Sequence, residues 1–273
     1  MERTHFELKK RRGILSERWY QTMELKLYLD RIGIKEIKNP SLEFLTELQN
    51  RHLLTIPFED LDIPNRARIV LDLERIYNKI ILTKRGGFCY ELNGLFHWLL
   101  TQLGLHAEML SARVYNHSKQ ELGLEFDHMT ILVHLDHDYL TDVGFGDSFR
   151  QPIKMPDGEV RDISGHYRIA KTSNNDFELQ REDGNNWKIQ HQFTLIPRGL
   201  SDYNAMCDFQ QDAPNSSFRI RNACTIATPN GRITLSDSSL TVTENGKKTK
   251  TELSGEQEFY SLLEKYFGIE LER

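Results

Sequence analysis

Apolar residues recur at three- and four-residue intervals through the first hundred residues, and this spacing predicts a helical segment. One short amphipathic helix is predicted to end at Gly33. Asn39 followed by Pro40 predicts the start of the next helix, because proline suits the first helical position. The strongest apolar stripe begins after Cys89 and stops at Gly104, where a C-terminal glycine is expected.

From about residue 106 the pattern changes to a period of two, which is typical of β-strands. The middle of the chain therefore predicts an antiparallel sheet or small barrel, and a second group of strands follows it. Asn230 with Gly231 and Asn245 with Gly246 predict hairpin turns. The predicted strands are 107–114, 128–135, 139–143, 160–170, 177–181, 187–193, 218–227, 233–235, 240–243 and 249–253.

These elements predict an α+β fold with an N-terminal helical bundle, a central antiparallel β-barrel or sheet, and a C-terminal α/β lid. Ser254 and Gln257 predict a capping box at the start of the last helix. The predicted parts are 1–22 as a flexible extension, 23–105 as the helical domain, 106–212 as the barrel and 213–273 as the lid.

Composition narrows the class of protein. The chain has 273 residues, 38% of them hydrophobic and 27% charged, which is typical of a globular protein. The net charge of −5 disfavours nucleic-acid binding, and no apolar run is long enough to span a membrane. Three cysteines without paired spacing indicate neither a disulfide framework nor a structural zinc site. We therefore expect a cytoplasmic monomer or weak homo-oligomer that binds no metal, nucleic acid or membrane.

Cys89 begins the strongest predicted helix and is a candidate nucleophile. Unpaired N–H groups and the positive end of the helix dipole converge at a helix start, and both favour a thiolate. An unpaired cysteine is, however, usually a small buried apolar residue. Cys89 alone supports the two interpretations about equally.

A nucleophilic cysteine needs a base and a group that orients the base. Among ten histidines, His128 has the best local context, because it opens an apolar strand. Asp142 ends the next predicted strand, and a hairpin with its turn near residue 136 brings the two side chains to the same end. The simpler interpretation is a solvated edge histidine and a turn aspartate.

Three segments taken together resemble the arylamine N-acetyltransferases of the bacterial type. The segments are RGGFCYELN at residues 85–93, the histidine that opens a strand at His128, and DVGFG at residues 142–146. IPFEDL at residues 56–61 also resembles a family segment. The resemblance implies a catalytic core like that of cysteine proteases, with Cys89, His128 and Asp142 as the triad. It further implies acetyl transfer from acetyl-coenzyme A to an aromatic amine or hydrazine, through an acetyl-cysteine.

The resemblance also implies roles for residues around the triad. Two residues depart from the family pattern, Asp127 before the histidine and Asp147 after the glycine loop, and both add negative charge near the site of an anionic co-substrate. The implied coenzyme-binding residues are Gly144, Phe145, Gly146, Ser216 and Ser217. The implied acceptor-binding residues are Phe88, Phe145 and Phe218. The implied supporting residues are Arg85, Glu59, Glu91 and Asn93, with an ion pair between the first two.

Other functions remain open on the sequence. The same triad chemistry serves papain-like or transglutaminase-like hydrolases and other acyltransferases. The segment 134–138 clusters histidines and aspartates that could bind a metal, although it is better explained as a polar hairpin turn. A non-catalytic binding protein is disfavoured by the intact set of three residues.

Overall fold

The computed structural model describes residues 23–174, 176–220 and 222–271; the predicted extension 1–22 lies outside them. A π-helical turn, Asn78–Leu82, directly follows the third helix, and a 3₁₀ turn, Leu200–Tyr203, directly precedes the fifth. The α-helices are α1 (Leu25–Ile32), α2 (Leu42–Thr55), α3 (Leu73–Tyr77), α4 (Cys89–Gln102), α5 (Asn204–Asp212), α6 (Ser217–Ile220) and α7 (Glu256–Phe267).

Two antiparallel sheets accompany these helices, so the predicted α+β class is confirmed. The strands are β1 (Phe58–Glu59), β2 (His106–Asn116), β3 (Glu121–Leu122), β4 (His128–His134), β5 (Asp138–Thr141), β6 (Ile153–Lys154), β7 (Glu159–Asp162), β8 (Gly165–Lys171), β9 (Phe177–Asp183), β10 (Asn186–Arg198), β11 (Ala223–Thr228), β12 (Gly231–Ser236), β13 (Ser239–Glu244) and β14 (Lys247–Glu252). The larger sheet has the order β6-β5-β4-β2-β10-β9-β8-β7, and its two edge strands approach each other to form a nearly closed barrel. The smaller sheet has the order β1-β11-β12-β13-β14.

Helix ends follow local capping chemistry. Gly33 and Gly104 have φ of +73° and +79°, so both adopt the left-handed conformation that ends a helix. The predicted start at Asn39 is wrong, because Ser41 caps α2 by accepting a hydrogen bond from the Phe44 N–H at 3.2 Å. A serine hydroxyl at that position satisfies an N–H group that the helix itself leaves unpaired.

Three other local predictions are wrong. The predicted strand 160–170 is a hairpin of β7 and β8, which pair from Asp162 with Gly165 outward. The predicted strand 218–227 begins with α6 and becomes a strand only at β11. The Ser254 hydroxyl bonds Glu258 at 2.7 Å, one residue beyond the predicted Gln257. The hairpin turn at Asn245 and Gly246 is confirmed, with φ of +50° and +79°.

The helices and the barrel share one hydrophobic core. Side chains of α1 to α4 pack against Ile131 and Val133 of β4 and Tyr139 of β5. The smaller sheet packs on α7 and reaches the helical part through β1, which pairs with β11. The core therefore crosses the predicted domain boundary at residue 105, and the domain limits stay a prediction. This packing places the start of α4 beside the first residue of β4.

Candidate active site

The loop before Cys89 is tied to β1 by close backbone contacts. The Glu59 N–H donates to the Gly87 carbonyl at 2.9 Å, and Phe58 and Gly87 form a parallel bridge. A side chain on Gly86 would overlap the Pro57 carbonyl oxygen, which explains why glycine occupies that position. The loop therefore enters α4 at a fixed position.

A buried ion network braces the same loop. Arg85 lies 2.8 Å from Glu59 and 2.8 Å from Asp62, so the ion pair expected between Arg85 and Glu59 is present. Lys79 contacts Asp62 at 2.7 Å and Glu91 at 3.0 Å. Glu91 also accepts the Phe88 N–H at 3.1 Å, which satisfies an unpaired donor at the start of α4. No local pattern in the sequence points to Lys79 or Asp62.

Cys89 is the first residue of α4, and only 4% of its surface is exposed. Burial raises the pKa of its thiol well above the usual value, and the charges of Asp127 and Asp142 raise it further. The backbone N–H of Tyr90 lowers that pKa, but it does not outweigh burial. The helix start alone therefore does not favour the thiolate, and Cys89 needs a proton acceptor beside it.

His128 and Asp142 provide an oriented acceptor. His128 Nε2 lies 2.6 Å from Asp142 Oδ2, and both side chains are buried. Burial alone would raise the pKa of Asp142, but the charge and hydrogen bond of His128, helped by Asn93, hold it below its usual value. Asp142 is thus a carboxylate that fixes the imidazole and leaves Nδ1 for proton exchange.

Helices α2 and α4 fix Asp142 in turn. Asn93 donates to Asp142 Oδ1 at 2.9 Å, and the Gly144 N–H donates to the same oxygen at 2.8 Å. Gln49 reaches the backbone oxygen of Asp142 at 3.4 Å and accepts from the Thr141 hydroxyl at 2.7 Å. Gln49 lies 93 residues before Asp142, and no sequence signal pointed to it.

His191 on β10 was also missed. Its ring centroid lies 5.3 Å from that of His128 and 5.4 Å from that of Phe145, and the side chain is fully buried. Neither ring nitrogen has a hydrogen-bond partner among the described residues. Burial lowers the pKa of His191 to about 3, with a further contribution from His128. A neutral imidazole therefore lies in ring contact with His128.

The glycine loop 144–146 lies against the cysteine. A side chain on Gly144 would approach Cys89 Cα and its carbonyl oxygen at 2.9 Å. Phe145 is half-buried, with its ring centroid 5.0 Å from that of His128 in an edge contact. Gly146 has φ of +83°, which carries the chain out of the site. The loop is therefore in contact with both the candidate nucleophile and the candidate base.

The other residues predicted to bind the substrates, Phe88, Phe218, Ser216 and Ser217, differ in how much of each side chain is exposed to solvent. Phe88 is fully buried, 4.9 Å from Tyr90 and 6.0 Å from the half-buried Phe218, between ring centroids. The Ser216 hydroxyl donates to the Gln210 carbonyl at 2.6 Å and is buried, whereas Ser217 is exposed at the start of α6. Of the two serines, only Ser217 presents its side chain to solvent.

The two acidic departures have different partners, a neutral amide at Asp127 and arginines at Asp147. Gln210 donates to Asp127 at 2.7 Å, and burial raises the pKa of that carboxyl. Asp147 lies 3.1 Å from Arg232 and 3.2 Å from Arg181. An open cleft of about 490 Å³ at this point is lined by four arginines, Arg150, Arg161, Arg181 and Arg232, and by three carboxylates, Asp147, Asp162 and Glu182. The arginines therefore outnumber the carboxylates of this cleft by one.

Known proteins share this architecture. A model of the N-acetyltransferase family matches residues 41–273. Arylamine N-acetyltransferase 2 of Mus musculus is 29% identical over 92% of this chain and 96% of the mouse protein. The pineal gland isozyme NAT-10 of Gallus gallus, also an arylamine N-acetyltransferase, is 31% identical with the same coverage.

Solved structures agree with the sequence comparison. The arylamine N-acetyltransferase of Salmonella typhimurium superposes with a TM-score of 0.85 at 28% identity, covering 92% of both chains. NAT3 of Bacillus cereus, described as having a unique Cys-His-Glu catalytic triad, gives 0.84 at 28% identity over 90% of this chain and 98% of that one. In the present chain the carboxylate that contacts His128 belongs to Asp142.

No helix in the described part of the chain has the length and hydropathy needed to cross a membrane.

Proposed function

Because this chain belongs to the arylamine N-acetyltransferase family, we propose that it moves an acetyl group from acetyl-coenzyme A to the nitrogen of an arylamine or arylhydrazine. Cys89 carries the acetyl group, His128 exchanges protons, and Asp142 holds and stabilises the imidazole. The observation that carries this proposal is the buried contact of 2.6 Å between His128 Nε2 and Asp142 Oδ2. It supplies an oriented base, and the glycine loop 144–146 packs against both that base and the cysteine that begins α4.

In the first half-reaction, His128 Nδ1 takes the proton of Cys89. The thiolate attacks the thioester carbonyl, the bond to the coenzyme sulfur breaks, and the imidazolium returns the proton to that sulfur. Burial opposes a lone thiolate at Cys89, so an adjacent imidazolium must stabilise the charge. Asp142 stabilises the imidazolium, which is the role of the third member in such triads.

In the second half-reaction, the amine nitrogen attacks the carbonyl of acetyl-Cys89. The carbon–sulfur bond to Cys89 breaks, and the amine proton passes through His128 to the cysteine sulfur, which restores the free enzyme. Two transfers of modest difficulty replace one direct transfer between the two substrates. The nearly complete burial of Cys89 limits access of water to the acetyl-cysteine.

We assign the acceptor ring to the surface of Phe145, and the adjacent rings of Phe218 and Phe88 are the further candidates for this pocket. Phe145 is the half-buried aromatic residue whose ring lies against His128, so a ring placed on it brings its amine to the base. We assign the coenzyme to the outer side of the glycine loop, because Gly146 is partly exposed there while Gly144 packs directly against Cys89. Arg181 and Arg232, which flank Asp147, are the cations that we assign to the phosphates of the coenzyme, and Ser217 is the exposed member of the serine pair.

The test is isolation of the acetyl-enzyme. Protein incubated with acetyl-coenzyme A and no acceptor is expected to gain one acetyl group, which peptide mass spectrometry locates at Cys89. Cys89→Ser is expected to abolish labelling and turnover. Cys207→Ser is the matched control, because Cys207 lies in the same hydrophobic cluster, and burial raises the pKa of its thiol to about 12.

Addition of an arylamine is then expected to discharge the labelled protein and give the N-acetyl product. Intact protein that takes up no acetyl group, or whose acetyl group passes to water as fast in the presence of the amine as in its absence, refutes the proposal. The second result identifies a hydrolase with the same triad.

A further inference from the structure

Two histidines and a glutamate meet at the far end of the strand that carries His128. His134 is the last residue of β4, and it pairs directly with His106, the first residue of β2. Their ring centroids are 4.5 Å apart. Glu108 lies two residues along β2 and so projects from the same face of the sheet. One potential ligand atom from each of the three side chains lies within 4.8 Å of the others.

The spacing of these atoms suits a transition metal. His134 Nε2 lies 3.4 Å from Glu108 Oε2. A tetrahedral zinc ion with bonds of about 2.1 Å has ligand atoms separated by about 3.4 Å. His134 Nε2 is buried and forms no hydrogen bond in the described part of the chain, although Glu108 faces it, so a bound ion would take the place of a proton between the two.

Asp138 fixes the orientation of His134. His134 Nδ1 lies 2.7 Å from Asp138 Oδ1, and the two residues pair across β4 and β5. A carboxylate on Nδ1 holds the proton there and directs the Nε2 lone pair toward Glu108, as in carboxylate–histidine–zinc sites. The two carboxylates also favour a cation over an anion at this position.

We propose that His106, Glu108 and His134 form a binding site for a divalent transition metal such as Zn²⁺, with Asp138 orienting His134. His106 is exposed, so water completes the coordination. Hard cations such as Mg²⁺ are disfavoured, because the site offers a single carboxylate among its three ligands. These ligands differ from those suggested by segment 134–138, since strand pairing brings in His106 and Glu108.

The site is separate from the triad. His128 and His134 are at opposite ends of β4, about 20 Å apart along the strand. A second group, His128, Asp142 and His191, also brings ligand atoms together, but it belongs to the candidate active site. Its 2.6 Å contact between His128 and Asp142 leaves no space for an ion between those two atoms.

The test is calorimetric titration of Zn²⁺ into chelator-treated, tag-free full-length protein. A Cys89→Ala background removes metal binding by the active-site thiol. We expect one zinc ion per chain, no comparable binding of Mg²⁺, and a zinc-dependent rise in melting temperature. Cobalt is expected to give the intense visible absorption of four-coordinate Co²⁺.

Variants assign the ligands. His106→Gln and Glu108→Gln are expected to weaken zinc binding by more than tenfold, and Asp138→Asn by about ten- to a hundredfold through loss of orientation. His137→Gln is the matched control in the adjacent turn and is expected to bind zinc like the parent. The proposal is overturned if the parent binds no zinc, or if the His106 and Glu108 variants bind zinc as tightly as the parent. It is also overturned if His137→Gln loses as much zinc affinity as those variants. Circular dichroism of each variant verifies folding.

Discussion

Asn93 donates its side-chain amide to Asp142 Oδ1 at 2.9 Å, across 49 residues of sequence. The same amide group bonds the Met129 carbonyl at 2.6 Å, and its oxygen accepts the Val143 N–H at 2.9 Å. One side chain on α4 thus fixes the carboxylate, the strand that follows His128 and the start of the glycine loop. This residue therefore holds α4, which begins with Cys89, to the strand that begins with His128.

Asn93→Ala is expected to lower kcat/KM by about ten- to a hundredfold, since a hydrogen bond to a charged group contributes about 1.5–3 kcal/mol. The hydrogen bond from Asn93 helps to lower the pKa of Asp142, so the loss of Asn93 raises that pKa. In the proposed mechanism Asp142 acts as a carboxylate. Activity should therefore disappear at a higher pH on the acid side than in the wild type. A pH–rate profile measures both effects.

The control for this substitution is Asn65→Ala. Asn65 donates a comparable amide hydrogen bond, to the Leu61 carbonyl at 2.8 Å, and it makes no contact with the triad. We expect the acid side of its profile to match the wild type. An Asn93→Ala profile with the wild-type acid limb would show that Asn93 does not act through Asp142.

The sequence predicted the parts of the site that depend on local pattern. Cys89 follows a recognisable loop and begins a regular helix, and His128 opens an apolar strand, so both elements could be predicted from local pattern, while their roles were implied by the family resemblance. Gln49, Lys79 and His191 could not, because each acts through contacts set by the packing of distant elements.

The errors in secondary structure have the same origin. Residues 160–170 alternate like one strand, and only the pairing of β7 with β8 reveals the turn between Asp162 and Gly165. Ser41 rather than Asn39 caps α2, a shift of two residues that composition alone could not decide. The activation of Cys89 was likewise overestimated, since the burial that opposes a thiolate is not visible in a local motif.

Gly144→Ala tests the close approach of the glycine loop to the nucleophile. The added methyl group would lie 2.9 Å from Cys89 Cα and 2.7 Å from Asn93 Nδ2, so the loop or α4 must move. A misplacement of about 1 Å in a catalytic site costs about a hundredfold in rate, and we expect that loss in kcat/KM.

Gly104→Ala is the matched control for the glycine loop. Gly104 has φ of +79° and no atom within 4 Å of an added Cβ, so alanine there is strained but causes no overlap. We expect a loss of about 1–2 kcal/mol in stability with unchanged kcat/KM. Equal rates for the two variants would contradict the proposed contact.

His191 should make stability depend on pH. Its pKa is lowered to about 3 by burial, against about 6.5 when unfolded, so the unfolded state binds the extra proton between these values. Stability contributed by the neutral ring is present above about pH 6.5 and is lost as the pH falls. The loss between pH 7.5 and 5 is about 2 kcal/mol.

His191→Phe is expected to remove that loss. The free energy of unfolding, measured with urea, should therefore fall less on acidification in the variant than in the wild type. Phe193→Leu is the control, because Phe193 packs 5.7 Å from His191 between ring centroids and does not titrate. Comparison with the wild type is needed, since burial raises the pKa of Asp60 to about 7 and gives the opposite dependence. Parallel pH curves for wild type and His191→Phe would refute the prediction.

Arg85→Met tests whether the buried ion network stabilises the cysteine loop. Glu59 is fully buried, and loss of Arg85 leaves it with Lys79 at 3.7 Å as its remaining cation. Removal of one member of a buried ion pair lowers the free energy of unfolding by about 3–5 kcal/mol, and the remaining Lys79 contact places our expectation at about 3 kcal/mol.

Arg68→Met is the matched control, because Arg68 pairs with Asp208 and Asp212 while 48% of its side chain is exposed. Its loss should cost at most about 1 kcal/mol in the free energy of unfolding. Urea denaturation of both variants makes the comparison, and equal losses would show that the network contributes no more than a surface ion pair.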